Sequence, residues 1–265
     1  MSKQIYTLHG TLLIPLVLPH VKNPLVIIQA RLSSTRLPGK VLLPFSSGKT
    51  ILDIQLDTIA NALPAHTCVV ATTTNSADDA LVNHCRQRGV EVFRGSEHDV
   101  LDRFIRCAAK YEAMELVRVC SDNPFLSGEF LSEIANGTGA DYMSYKNADD
   151  VPAIKTHWGL FAEYVTTAAL KRAAAATDEA FYHEHVTNYI YGNEKQFAIS
   201  LLAAPTVVYR RNDLRFTIDT PADFETARAI YDAWDKQNLL SLVELVDTNP
   251  VWLENMKFGI AQFTK

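Results

Sequence analysis

The sequence predicts an α/β domain with a mixed, mainly parallel sheet, and three observations carry that prediction. Short apolar runs alternate with amphipathic segments through the first half of the chain. The amphipathic segments are long enough to serve as the crossover helices that parallel strands require. No glycine- or serine-rich linker interrupts the pattern, and no internal repeat is visible.

Each element follows from its local pattern. Leu25–Ala30, Thr67–Thr72, Glu91–Arg94 and Glu115–Cys120 read as strands. Helical spacing fills 50–62, 77–88 and 99–111 between them, and in the third helix Val100, Phe104, Cys107 and Ala108 share one face. The second half is less regular. "DYMSY", "GLFAEYV", "QFAISLLAAP" and "LRFTID" read as strands, and the alanine-rich stretch 168–176 as a helix. Thr220, Pro221 and Asp223 have the order of an N-cap, a first helical position and a third, which sets Asp219 at a strand end just ahead of a helix.

Residues 1–24 include "TLLIPLVLP", a run broken by Pro15 and too short to span a bilayer. They read as a peripheral extension, a strand or a dimer contact, with residues 25–265 forming one domain. A chain of 265 residues, 48% hydrophobic, can build the full core of one large domain. Its net charge of -5 and pI near 5.9 argue against a nucleic-acid binder that works through bulk charge. Cys68, Cys85, Cys107 and Cys120 contain no CxxC pair. Three of them lie in apolar stretches, as small buried hydrophobes do in a reducing cytoplasm.

Two motifs resemble sites without meeting their requirements. "SSGKT" at 46–50 ends like a phosphate-binding Walker loop, but Leu43 stands where the leading glycine is needed, so a polar turn before a helix is expected. "YHEHV" at 182–186 spaces its histidines two apart, whereas a helical zinc site needs them four apart.

The chemistry concentrates after the first strand. "LVIIQARLSSTRLPGKVLLPF" places Arg31, Arg36 and Lys40 within ten residues, among Ser33, Ser34 and Gly39. In an open parallel sheet, ligands bind beyond the carboxyl ends of the strands. A loop there with three cations and accessible amides suits phosphate. Asp122 in "VRVCSDNPF" and Asp219 in "LRFTIDTPADF" also follow strands, and together they suit a hard cation such as Mg2+. The combination points to metal-assisted phosphoryl transfer.

"ARLSSTRLPGKVL" resembles the signature loop of the sugar-activating cytidylyltransferases, the group that includes the 3-deoxy-manno-octulosonate, acylneuraminate and spore-coat polysaccharide enzymes. "VVATT", "VFRGSEHDVLDRF", "VRVCSDNPF", "EHVTNYIY" and "FTIDTPADFE" continue the likeness in order, over about residues 25 to 235. The resemblance implies a Rossmann-like nucleotide-diphospho-sugar transferase fold in three layers. It also implies transfer of CMP from CTP to a sugar or sugar acid, with pyrophosphate released, in surface polysaccharide biosynthesis. By position, Arg31, Ser34, Arg36 and Lys40 would meet the triphosphate, with Lys40 and Arg31 catalytic. Asp122 and Asp219 would hold Mg2+, and Ala30, Ala71, Thr72, Asp99 and Arg103 would lie near base and ribose. "FYHEHVTNYI" would form a helix through Val186, Tyr189 and Ile190, its first turn offering His183, Glu184 and His185 to the acceptor. Relatives of this kind imply a cytoplasmic homodimer with no membrane or nucleic-acid partner. Asn123 departs from the octulosonate pattern, where an acidic residue follows the metal-binding aspartate, and this leaves the acceptor open. A glycosyltransferase would need a D-x-D-like metal motif, which "DDV" at 149–151 fits poorly. A non-catalytic nucleotide-binding protein would bind CTP and release no pyrophosphate.

Overall fold

The computed structural model describes residues 7–8, 11–12 and 23–263. The expected extension at 1–24 lies outside the described residues except for its last two residues and one short pair, β1 (Thr7–Leu8) and β2 (Thr11–Leu12), which run antiparallel.

Strand and helix then alternate as the apolar pattern predicts. The order begins β3 (Leu25–Gln29), a hairpin of β4 (Pro44–Ser46) and β5 (Lys49–Thr50), α1 (Ile51–Ala62), β6 (Cys68–Thr73) and α2 (Asp79–Gln87). It continues with β7 (Glu91–Gly95), α3 (Val100–Lys110), β8 (Glu115–Cys120) and α4 (Gly128–Ala135). Beyond these lie β9 (Tyr142–Lys146), β10 (Glu163–Thr166), α5 (Thr167–Ala176), α6 (Ala180–Glu184), α7 (Asn188–Tyr191) and β11 (Ile199–Ala203). The chain ends with α8 (Thr206–Tyr209), α9 (Pro221–Ala233), α10 (Leu239–Asp247) and α11 (Pro250–Gln262).

Seven strands form one sheet in the order β11-β9-β10-β8-β3-β6-β7. β10 runs antiparallel to both neighbours, and the other four pairings are parallel, so the sheet is mixed and mainly parallel. Alternation along β3 divides the core. Leu25 and Ile27 pack with Phe104, Leu170 and Ile190 on one face, while Val26 and Ile28 pack with Leu52, Ile59 and Leu131 on the other. Helices therefore cover both faces, which gives three layers. The expected face of α3, Val100, Phe104, Cys107 and Ala108, is fully buried. A third cluster, with Phe125, Trp158, Phe161, Phe216 and Phe224, backs the segment that carries Asp219. Among the described residues, no helix is long and apolar enough to cross a membrane.

Three local expectations differ. "LRFTID" forms no strand: Phe216 N–H bonds the His157 carbonyl at 2.9 Å and Ile218 N–H the Asp122 carbonyl at 3.0 Å, so its partners are two separate loops and no ladder can form. "GLFAEYV" becomes a strand only from Glu163, because Gly159 takes a left-handed φ of 60° and Phe161 turns into the aromatic cluster. "FYHEHVTNYI" is two short helices, α6 and α7, interrupted at 185–187, so Glu184 ends a helix instead of beginning one.

Candidate functional site

β3 has β6 on one side and β8 on the other, so the chain leaving β3 enters the crevice at the point where the strand order reverses. Ala30 still bonds the sheet through Ala71 O at 3.2 Å; both residues are buried. The loop then closes on itself, with Gly39 N–H donating to Leu32 O at 2.9 Å. Gly39 has a φ of 71°, a left-handed conformation that glycine adopts at little cost. It leads into a turn of 3-10 helix, Lys40–Leu42, whose Val41 is buried. That anchor aims Lys40 at the crevice.

Lys40 Nζ donates to the Ile218 carbonyl and lies 3.6 Å from Asp122 and 3.8 Å from Asp219. The structure thus brings the two carboxylates to one ammonium from residues 97 positions apart in the chain. Arg36 donates to Asp219 at 2.7 Å and stacks 4.6 Å from the Phe263 ring. Arg215, buried behind it, donates to Asp219 at 2.9 Å and to Asp223 through two bonds of 2.8 and 3.0 Å, and also contacts His157. Burial alone would raise the Asp219 pKa, but Lys40, Arg36 and Arg215 outweigh it and lower the value to about 2. Thr220 and Asp223 form a capping box at the start of α9, with Pro221 at its first position, as their order in the sequence predicts.

Beside this centre, Arg31 donates to Glu184 at 3.2 Å, which brings α6 to the basic loop. His183 bridges the Asp99 carboxylate at 2.8 Å and the Thr177 carbonyl at 2.9 Å. Both partners are acceptors, which favours the protonated ring, and the Thr177 carbonyl and Asp99 raise its pKa above the usual value. Asp99 itself caps α3 by accepting from Asp102 N–H at 2.7 Å. His185 is exposed, its ring 4.8 Å from that of Phe181. Ser34 accepts within the loop from Leu37 N–H at 3.4 Å. Thr72 is buried and donates to Asp78 at 2.9 Å. Arg103 is buried on α3, and its Nε and Nη1 have no hydrogen-bond partner among the described residues.

Sequence reasoning missed two residues that build the site. Asp78 accepts from Leu32 N–H at 2.7 Å, from Thr72, and from the Thr73 amide and hydroxyl, so it ties the root of the basic loop to the end of β6. Burial opposes its ionisation, yet the bonds from Thr73, Leu32 and Thr72 lower its pKa. Its reach to Leu32 spans 46 residues, and no local pattern shows that. Arg215 was visible only as a cation four residues before Asp219 in a segment read as strand.

The sites discounted from the sequence have structural explanations. "SSGKT" forms the turn of the β4–β5 hairpin and then caps α1, with a capping box of Thr50 and Asp53. In "DDV", Asp150 pairs with Lys146 at 2.6 Å and Asp149 accepts from Asn212 at 3.3 Å.

Comparison with known proteins converges on one family. A sequence model described as cytidylyltransferase matches residues 25–247. The spore coat polysaccharide biosynthesis protein SpsF of Bacillus subtilis is 35% identical over 239 residues, covering 85% of this chain and 95% of its own length. An uncharacterised protein of Methanocaldococcus jannaschii is also 35% identical, over 89% of this chain and 95% of its own. The solved structure of a cytidylyltransferase from Leptospira borgpetersenii superimposes with a TM-score of 0.77 at 27% identity, covering 89% of this chain and 98% of that one.

Proposed function

This chain belongs to the cytidylyltransferase family, and from that membership we propose that it transfers CMP from CTP to a sugar or sugar-acid acceptor and releases pyrophosphate, in the assembly of a surface polysaccharide. The observation that carries the reading is the convergence of Asp122 and Asp219 on Lys40 at the crevice. Within this reading Arg31, Arg36 and Lys40 receive the triphosphate, while Ser34, Ala30, Ala71, Thr72, Asp99 and Arg103 line the nucleotide side.

Two converging carboxylates fit a divalent cation, and we take it to be Mg2+. Among the described residues no group of three or more His, Cys, Asp or Glu is arranged to hold a metal. Two carboxylates with phosphate oxygens and water completing the shell is the usual arrangement for Mg2+. When bound, the cation would neutralise triphosphate charge. The acceptor oxygen bonds to the α-phosphorus as the bond from that phosphorus to the bridging oxygen breaks, pyrophosphate leaves with the electron pair, and the proton of a hydroxyl acceptor passes to solvent. Lys40 and Arg31 offset the charge that builds on the phosphoryl oxygens. Lys40 reaches this task already fixed by the Ile218 carbonyl and needs little reorganisation.

The stretch 183–185 at the end of α6, whose Glu184 pairs with Arg31, is assigned to the acceptor, with His183, Glu184 and His185 as its polar groups. A homodimer and a cytoplasmic setting belong to the same reading, on the strength of the resemblance. The test is a pyrophosphate-release screen of the four nucleoside triphosphates against sugar acids and sugar phosphates, with and without Mg2+. Release with CTP and one acceptor class supports the reading. CTP binding without release in any pairing supports a non-catalytic nucleotide binder.

A further inference from the structure

Gln55 stands on α1 with no exposed surface, on the same helix as the apolar core residues Leu52, Leu56 and Ile59. A carboxamide among such neighbours is unfavourable unless it is hydrogen-bonded. Its Nε2 donates to two carbonyls, Cys120 O at 2.8 Å and Asn123 O at 2.9 Å. Both partners are acceptors, so the amide nitrogen must face them. Oε1 has no partner among the described residues. An apolar side chain would avoid that orphan acceptor, so the two donated bonds are what the glutamine adds.

Those bonds enclose one short turn. Cys120 ends β8, and Ser121 and Asp122 lie between the two carbonyls. On its other side the turn is tied by Ser121 N–H to Gln29 O at 3.3 Å, and by Ile218 N–H to Asp122 O at 3.0 Å. The second of these joins the Asp122 turn to the segment carrying Asp219. Gln55 and these backbone contacts together hold the turn. We propose that Gln55 is a positioning residue, holding the Cys120–Asn123 turn so that the Asp122 carboxylate meets Lys40 and the metal. The inference rests on the reading that Asp122 holds a divalent cation.

The test uses the full chain with Gln55→Met, which keeps length and volume and removes both donors; Gln55→Asn, one methylene shorter, serves if the first variant does not fold. Amide hydrogen exchange at 121–123 and calorimetric binding of Mn2+ in the presence of CTP are measured against wild type. The expected result is turn exchange faster by tenfold or more, with exchange in α1 unchanged. Mn2+ affinity should fall by roughly 10–100-fold, as when other supporting partners of metal ligands are removed. Unchanged exchange at the turn, or unchanged Mn2+ affinity in the folded variant, overturns the proposal. Wild-type protein that binds no Mn2+ with CTP would overturn the metal reading instead, and exchange at 121–123 would then decide alone whether Gln55 holds the turn.

Discussion

Arg36 and Asp219 form an ion pair at 2.7 Å, although the proposed mechanism needs the first for phosphate and the second for metal. In the proposed mechanism each partner keeps the other occupied until the triphosphate arrives. In that mechanism phosphate oxygens draw Arg36 away, and Asp219 then becomes available to a cation. The expected outcome is coupling between the two ligands. Calorimetric titration with Mg2+ alone should show weak binding, and saturating CTP should tighten it by at least tenfold, or about 1.4 kcal/mol of coupling. Equal Mg2+ affinity with and without CTP would show that the Arg36–Asp219 pair does not gate the metal.

The same cluster sets an acid limit on stability. Asp219 drops from an ordinary 3.8 to about 2 in the folded chain. A carboxylate with a lowered folded pKa contributes stability above its unfolded pKa and loses it as pH falls through the folded one. The contribution is complete above about pH 5 and fades between about 4 and 2, and it amounts to roughly 2 kcal/mol. Urea unfolding of wild type and Asp219→Asn from pH 2 to 6 should show a gap that narrows on acidification across that window. A gap independent of pH would remove the Asp219 ionisation as its cause.

In the proposed reading Glu184 belongs to the acceptor side and its partner Arg31 to the nucleotide side. Its pair with Arg31 is 3.2 Å long and more than a third exposed on each side, so its loss should change stability by less than about 1 kcal/mol. Glu184→Gln should raise the acceptor KM severalfold. CTP affinity should stay within about twofold or improve, because Arg31 is released for phosphate. His185→Ala should follow the same split, since His185 touches only the Phe181 ring among the aromatic contacts of α6 and is exposed. Parallel losses for CTP and acceptor would place both residues on the nucleotide side.

The readable parts of this molecule are those governed by near neighbours in sequence. Alternation at Leu25–Ile28 and the α3 face at Val100, Phe104, Cys107 and Ala108 announce the layers because both periodicities act over a few residues. Thr220, Pro221 and Asp223 announce α9 for the same reason. The basic loop and Asp122 were visible as residue types at strand ends, and Asp219 as one just ahead of a helix, but their meeting at Lys40 was not. It depends on Ile218 lying beside Asp122, a contact made by an extended segment with no ladder. The reach of Asp78 to Leu32 N–H and of Gln55 to the Cys120 and Asn123 carbonyls was unreadable because these backbone groups lie far away in the chain and leave no trace in sequence. The break at 185–187 was hidden by an apolar spacing that suits a helix. Thr187 instead turns inward to the buried Glu163, donating at 2.9 Å, and separates α6 from α7.

Lys40 offers the most direct test of the central claim, that the loop after β3 serves the triphosphate. Its ammonium faces the crevice, and the buried Val41 anchors the turn independently of it, so Lys40→Ala should fold with wild-type secondary structure. Steady-state pyrophosphate release with CTP, Mg2+ and the acceptor found by screening should then fall by roughly 10²–10³, the equivalent of about 3–4 kcal/mol of lost transition-state stabilisation. Wild-type turnover by the folded variant would contradict the account and reduce the loop to a solvated basic turn.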